Sequence, residues 1–211
     1  RHAAQLADEA RDYLDRTSQA AGRMQVLIDD LLAYSRVSAR GKPFRRVDLQ
    51  KVMAGVVDDL EATLEASGGR IEAGPLPVIE ADPTQMRQLF QNLLSNALKF
   101  RSPERPPLIH VGATPGEGVD GPAWILRFED NGIGFEPRHA EKVFAPFQRL
   151  HARHQFDGTG IGLAIVRRIV ERHRGSIQAE GNPGIGAVFT IELPARQPVE
   201  PGGLAGPMQD P

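Results

Sequence analysis

The sequence predicts an α+β fold, a two-layer sandwich whose mixed sheet is covered by helices on one face, preceded by a long coiled-coil or bundle helix. Three observations carry this. Strand-like segments occur mostly in adjacent pairs between helical ones, which favours a sheet covered on one side. Apolar residues keep a heptad spacing through the first 37 residues, which marks a helix with partners of its own. The 211 residues are 40% hydrophobic and 25% charged, the composition of a soluble globular protein with room for one domain and an added element.

The bulk numbers exclude several classes. A formal net charge of −2 gives no support for a nucleic-acid or membrane surface. The basic groups Arg167-Arg168 and Arg172-His173-Arg174 read as a solvated helix face. The absence of cysteine rules out disulfides, thiolate nucleophiles and zinc thiolate sites. No signal peptide and no bilayer-spanning apolar run is found, so a cytoplasmic location without direct membrane contact is expected. The chain starts in mid-pattern without an initiator Met, which suggests a piece of a longer protein.

From the N-terminus, positions 6, 10, 13, 17, 20, 24, 27, 31 and 34 are Leu, Ala, Tyr, Thr, Ala, Met, Leu, Leu and Tyr. They alternate steps of four and three, the seam of a bundle. A second stripe, Leu14, Ala21, Ile28 and Leu32, widens the face toward a four-helix arrangement. Residues 1–37 are therefore expected to form a homodimer. Gly41 and Pro43 break the pattern, making residues 38–44 a linker to a domain spanning 45–194.

Within that domain, Arg45–Asp48 reads as a short strand, and Asp48 caps a helix running to about Ala66, ended by Gly68-Gly69. Extended pieces follow at Arg70–Ala73 and Val78–Ala81. Asp82-Pro83 then starts a helix reaching about Phe100. Leu108–Thr114 and Ala123–Asp130 form a strand pair. Residues 131–160 read as a functional loop such as a lid, because so long a loop is unusual in a compact domain. A helix from about Gly160 to His173 leads into strands Ser176–Glu180 and Ala187–Leu193. Residues 195–211 are expected to be a disordered tail.

Two stretches carry the chemistry. Trp124–Asp130 reads as a strand running into the glycine-kinked loop Asn131-Gly132-Ile133-Gly134. An ionised Asp130 offers acceptors only, so it suits the exocyclic amine of adenine and repels the carbonyl of guanine. Further on, Gly158-Thr159-Gly160-Ile161-Gly162-Leu163 opens a helix, and bare backbone N–H groups at a helix N-terminus favour an anion. Together they suggest an ATP site. Asn92, Asn96 and Lys99 share one helical face at i, i+4 and i+7. Asn oxygens are hard, neutral ligands suited to Mg²⁺, and Lys99 supplies a point charge to phosphate. A solvated polar stripe is the competing reading. Neither a Walker A nor a Rossmann fingerprint occurs.

The ordered motifs Asn92-Leu-Leu-x-Asn96-Ala-x-Lys99-Phe100, Asp130-Asn-Gly-Ile-Gly-Phe135, Phe144-x-x-Phe147 and Gly158-Thr-Gly-Ile-Gly-Leu163 resemble four boxes. These are the N, G1, F and G2 boxes of the sensor histidine kinase catalytic domain, in the Bergerat (GHKL) ATPase superfamily. The helix ending Ile28-Asp-Asp-Leu-Leu-Ala-Tyr-Ser-Arg36 is similar to the second helix of that family's dimerisation and phosphotransfer domain. The resemblance implies that Asn96 coordinates Mg²⁺, that Asn92 contacts metal or phosphate, and that Lys99 holds phosphate. It implies that Asp130 takes the adenine amine while Gly132 and Gly134 let the base sit close. Phe144 and Phe147 would pack the base of an ATP lid, with ordinary core aromatics as the alternative. Gly158, Gly160 and Gly162 would form the lid's phosphate-side hinge, and Phe100, Thr159 and Leu163 complete the nucleotide contacts. Arg149 and Arg153 are candidate γ-phosphate contacts, with solvated loop charges as the alternative. The implied partners are the upstream phosphoacceptor helix and sensor domain, and a response-regulator receiver domain.

Two departures matter. ATP-hydrolysing relatives usually carry a water-activating Glu where this chain has Asn92, and Asn cannot act as a general base. The resemblance therefore implies phosphoryl transfer, with a GHKL-type ATPase or a non-catalytic dimerisation scaffold as the alternatives. None of the six histidines (His2, His110, His139, His151, His154 and His173) stands in the family's His-Asp/Glu-Leu-Arg-x-Pro phosphoacceptor context. The acceptor is expected upstream, and this fragment alone is expected not to autophosphorylate. Arg174 stands where relatives often have Gly.

Overall fold

Helix caps fix where the main elements begin. A computed structural model of the chain describes residues 8–39, 41–119, 121–150, 156 and 158–197. The long helix α1 spans Asp8–Ala39. Strand β1 (Arg45–Asp48) ends at Asp48, whose carboxylate accepts from the backbone N–H groups of Gln50 and Lys51 and so starts α2 (Leu49–Ser67). Gly68, at φ 64°, closes α2 in the left-handed region that glycine tolerates. After β2 (Arg70–Ala73) and β3 (Val78–Ala81), Asp82 caps α3 (Pro83–Lys99) through Thr84 and Gln85, with Pro83 in the first turn.

Strands β4 (Leu108–Gly118) and β5 (Gly121–Asp130) form a hairpin longer than the sequence suggests, because the Gly-rich segment stays paired out to Gly118 and Gly121. Two short 3₁₀ turns, Pro137–His139 and Lys142–Phe144, interrupt the following loop. Helix α4 (Gly162–Arg172), β6 (Ser176–Asn182) and β7 (Gly186–Pro194) complete the fold.

The sheet order is β2-β4-β5-β7-β6, with β2 parallel to β4 and the remaining pairs antiparallel. Strands β1 and β3 form a separate antiparallel pair. The sheet's inner face, including Ile109, Val111, Leu126, Phe128, Phe189 and Ile191, packs with Leu89, Phe90, Leu94 and Leu98 of α3 and Val166, Ile169 and Val170 of α4. Phe90 meets Phe128 edge-on at 5.2 Å between centroids. Each such fully buried side chain contributes about 1.5–3 kcal/mol by leaving water. This is the expected mixed sheet covered by helices on one face.

The bundle helix departs from its seam. Leu27, Ala33 and Tyr34 pack against the domain's core and Val37 is buried in it, whereas Tyr13, Leu14, Met24, Ile28, Leu31 and Leu32 are exposed. The heptad pattern therefore serves two surfaces, since its last two turns lie against the domain. The C-terminal expectation also needs correcting. Ala195 to Gln197 remain tied down, with Ala195 N–H donating to Pro122 O and Gln197 bonded to Glu80 and His173. Pro122 O of β5, the Glu80 backbone and carboxylate of β3 and His173 O supply those partners, so proline and glycine content did not decide the matter. Residues 198–211, where the rest of the expected tail falls, lie outside the described residues, as do residues 1–7 with His2.

A buried polar network fastens the end of α1 and the linker to this domain. Gln85 donates to Val37 O at 2.9 Å, Lys42 N–H donates to Asp82 at 2.6 Å, and Arg172 donates to Lys42 O at 2.8 Å and Gln85 at 2.8 Å. His173, fully buried, accepts from Asp82 N–H through Nε2 at 3.0 Å. That leaves its proton on Nδ1, which donates to Ile169 O at 2.7 Å. Burial pushes the His173 imidazole below its ordinary value of 6.5, with nearby Arg172 lowering it further against the raising effects of Ile169 O and Asp82. The unfolded chain then binds more protons between the folded value and 6.5, so this contribution to stability is complete above 6.5 and is lost as pH falls through the folded value. Urea midpoints measured from about pH 8 to about pH 5 should fall more steeply for the wild type than for His173→Gln. Parallel slopes would assign the acid sensitivity to other groups.

The position after α4 explains Arg174. Its φ is 57°, in the left-handed region where glycine is the usual residue, and Gly175 N–H closes the turn onto Val170 O at 2.9 Å.

Candidate functional site

Helix α3 carries its chemistry on a flank. Leu89, Phe90, Leu93, Leu94, Ala97 and Leu98 fill the core, which leaves Asn92, Asn96 and Lys99 half-buried along one edge. Among the described residues, none forms a hydrogen bond with the side-chain amide of Asn92 or Asn96. Lys99 Nζ sits 4.6 Å from the Phe100 ring centroid and lies against Gly158.

Asp130 ends β5 in mid-sheet, paired in register with Ile109 on one side and Ala187 on the other. Its Oδ1 accepts from Gly132 N–H at 2.8 Å and Ala187 N–H at 3.3 Å. Burial pushes its carboxyl above the ordinary 3.8 and Glu129 adds to this, while those two backbone bonds oppose the shift. The loop beyond Asp130 is held in place by its glycines. A side chain on Gly132 would strike Phe100 O, and Gly134 combines φ 63° with close contact to Asn182 O.

Asp130 lines a cavity of about 100 Å³ with Asn96, Ala97, Phe100, Gly134, Phe135, Val143, Gln148, Leu150, Leu163, Ala187 and Phe189. An adjoining cavity of about 80 Å³ shares Asn96, Phe100 and Leu163 and extends past Lys99, Arg149 and Phe156 to Gly160 and Gly162. The two form one depression, with a carboxylate at one end and a helix start at the other. Helix α4 begins after Ile161 without a side-chain cap, so its first N–H groups are available to an anion. Gly162 keeps that start close to α3, since a Cβ there would lie 3.2 Å from Asn92 Oδ1.

The expected site residues thus converge, with two exceptions. Phe144 is buried in the core against Phe189, at 6.3 Å between centroids, and Val143 lines the cavity instead. Phe147 is 56% exposed, with φ at 63°, and lines a groove against α1, held by its N–H to Gly160 O at 3.1 Å. Arg149 donates to Gly158 O at 2.7 Å and to Phe156 O, so in this structure it braces the loop. Arg153 lies outside the described residues, as do His151, His154 and Asp157.

Sequence reasoning missed the apolar walls, because Ala97, Val143, Leu150 and Phe189 look like any core residue. It also missed Arg105, whose guanidinium donates to Asn131 O at 2.8 Å, Gly184 O at 2.7 Å and Ile185 O at 2.9 Å. Arg105 thereby ties the glycine loop to the β6–β7 turn. The signal was faint: one arginine in a proline-rich break.

The chain is similar to known proteins in sequence and in fold. Residues 81–197 match the family described as histidine kinase-, DNA gyrase B- and HSP90-like ATPases. The chain is 40% identical over 194 residues to cyanobacterial phytochrome A of Nostoc sp. (strain PCC 7120), covering 92% of this chain and 25% of that protein. It is 38% identical, over the same shares, to the phytochrome-like protein Cph1 of Synechocystis sp. (strain PCC 6803). Among solved structures, full-length ShkA in complex with AMPPNP superimposes with a TM-score of 0.69 at 27% identity, covering 93% of this chain and 41% of that one. The chain spans about a quarter of the length of these curated relatives.

Proposed function

Because the chain belongs to the histidine kinase-, DNA gyrase B- and HSP90-like ATPase family, we propose that it is the ATP-binding catalytic module of a sensor histidine kinase. The module would pass the γ-phosphoryl of ATP to a histidine for relay to a response-regulator aspartate. One observation carries the reading. A desolvated carboxylate, Asp130, floors an apolar cavity whose other end meets unengaged Asn amides and an uncapped helix start. That polarity suits a molecule with an amine at one end and phosphates at the other.

In this reading Asp130 accepts from the adenine amine, and Gly132 and Gly134 let the base approach. The first N–H groups of α4 and Lys99 hold phosphate oxygens. Asn96, with Asn92 beside it, is suited to Mg²⁺, since both offer neutral oxygen donors not engaged by another described residue. Bound there, the ion would offset phosphate charge. Asn92 cannot deprotonate water, so the side chains orient and stabilise and do not drive hydrolysis. The bond from γ-phosphorus to the bridging oxygen breaks, one to an imidazole nitrogen forms, and ADP leaves.

The exposed stripe of Tyr13, Leu14, Met24, Ile28, Leu31 and Leu32 supports a homodimer through α1, with residues 1–37 as its bundle element and 45–194 as the catalytic unit. The receiver domain and the upstream acceptor and sensor segments remain its proposed partners. Among the described residues no helix is long and apolar enough to cross a membrane.

The test is transfer of γ-labelled phosphate from Mg-ATP, using this chain alone and with a separate polypeptide supplying the upstream acceptor helix. Acid-labile label on the added helix only is expected. Release of free phosphate without label would favour an ATPase, and bound ATP with neither would favour a scaffold.

A further inference from the structure

Helix α1 contributes a carboxylate to the phosphate end of the site. A groove of about 1040 Å³ runs between α1 and the catalytic unit, lined by Leu27 and Leu31 on one wall and Asn92, Asn96 and Lys99 on the other. Asp30 is the only carboxylate among the described residues lining it. The Thr159 hydroxyl, in the loop that leads into α4, donates to Asp30 Oδ2. In the same loop Gly158 is held by Arg149 and lies against Lys99 Nζ. The loop is thus engaged from α1 by an anion, where a nucleotide would bring its own.

We propose that Asp30 is a nucleotide-released latch, in which its carboxylate and the polyphosphate of ATP compete for the Thr159 loop. The inference rests on the ATP-site reading. The Thr159 hydroxyl has one proton to donate, so a phosphate oxygen that takes it displaces Asp30, and a seated Asp30 weakens nucleotide binding by holding that proton and by like-charge repulsion. Seven residues further on, two helical turns away, the end of α1 is fixed at Val37 by Gln85 and the linker at Lys42 by Asp82 and Arg172. Releasing the latch therefore leaves α1 held near Asp30 only by the apolar contacts of Leu27, Ala33 and Tyr34, with its end still anchored, so nucleotide occupancy biases how the bundle helix lies on the catalytic unit. By linkage, the factor by which Asp30 weakens ATP binding equals the factor by which ATP weakens the latch.

The test uses the whole chain, with Asp30→Asn and Asp30→Ala beside the wild type. Both variants should bind Mg-AMPPNP about five- to fifty-fold tighter, within the usual span of coupling between sites. Adenosine, which has no phosphate, should bind all three within about two-fold. The chain has no native cysteine, so spin labels on Arg16→Cys and Glu61→Cys report the distance between α1 and α2. That distribution should shift on adding AMPPNP to the wild type and already be shifted in Asp30→Asn without nucleotide. Equal AMPPNP affinities, weaker binding by the variants, or a distance indifferent to nucleotide would each overturn the latch. A wild-type chain that bound neither AMPPNP nor adenosine would overturn the nucleotide site itself, and the latch with it.

Discussion

Replacing Asp130 with Asn should weaken ATP binding by about 100-fold or more while leaving the folded chain as stable as before, or more so. The two effects part because the carboxylate is poorly solvated in the free protein. Its pKa is raised by burial, so the folded state holds a proton more tightly than the unfolded one. This stabilising contribution is complete below 3.8 and is lost as pH rises through the folded value, so at neutral pH the ionised side chain opposes folding. An Asn in its place still accepts from Gly132 and Ala187 through Oδ1 and carries no charge. Its amide would, however, direct N–H groups toward the nucleotide amine, two donors facing each other. Calorimetric titration and urea unfolding on the same sample separate the outcomes. Binding that survived with stability reduced would make Asp130 a structural residue and remove the adenine assignment. The wild type should also lose affinity toward acid as Asp130 protonates, at a pH raised from its ordinary 3.8 by burial, whereas the variant should show no such step.

Much of this was legible because the informative residues cannot easily be anything else. Asp82-Pro83 is a helix start in any context, and α3 begins there. The glycines of the two loops signalled close backbone approach, and Gly132 and Gly134 lie against the carbonyls of Phe100 and Asn182. The polar ends of the depression were readable for the same reason, since Asn92, Asn96 and Asp130 are costly to bury without purpose. Its walls were not, because apolar side chains facing a cavity and those facing a core obey one periodicity. Phe144 shows the difficulty. A motif marked it, but packing against Phe189 turned it inward and left the cavity wall to Val143. The seam of α1 misled in a related way. Heptad spacing says that a face is covered and not by what, so Leu27 and Tyr34 were counted for a bundle when they lie on the domain. Asp30 carries no local signal and Arg105 only a faint one, because both act across long sequence separations.

Asp82→Ala should be the most destabilising single polar substitution, costing about 3–5 kcal/mol, a large part of the 5–15 kcal/mol that holds an ordinary domain folded. The carboxylate is 2% exposed and every lone pair is used. Oδ1 accepts from Thr84 N–H at 2.9 Å and Gln85 N–H at 3.2 Å, while Oδ2 accepts from Lys42 N–H at 2.6 Å and from Arg172 at 3.3 Å. Truncation removes the cap of α3 and leaves the guanidinium, 19% exposed, without its anion. Asp82→Asn separates these contributions. Its oxygen can still cap α3, which recovers about 1 kcal/mol, but its amide would face Lys42 N–H and Arg172, both donors. The variants should therefore rank wild type, Asn, Ala in urea midpoint. Hydrogen exchange at Lys42 should accelerate in both, because the linker loses its anchor before the sheet loses anything. An Asn variant as stable as the wild type would mean that the ion pair contributes nothing beyond the cap. Unchanged protection at Lys42 would mean that the linker is fixed by the burial of Val37, and α1 would then pivot about an apolar contact and not an ion pair.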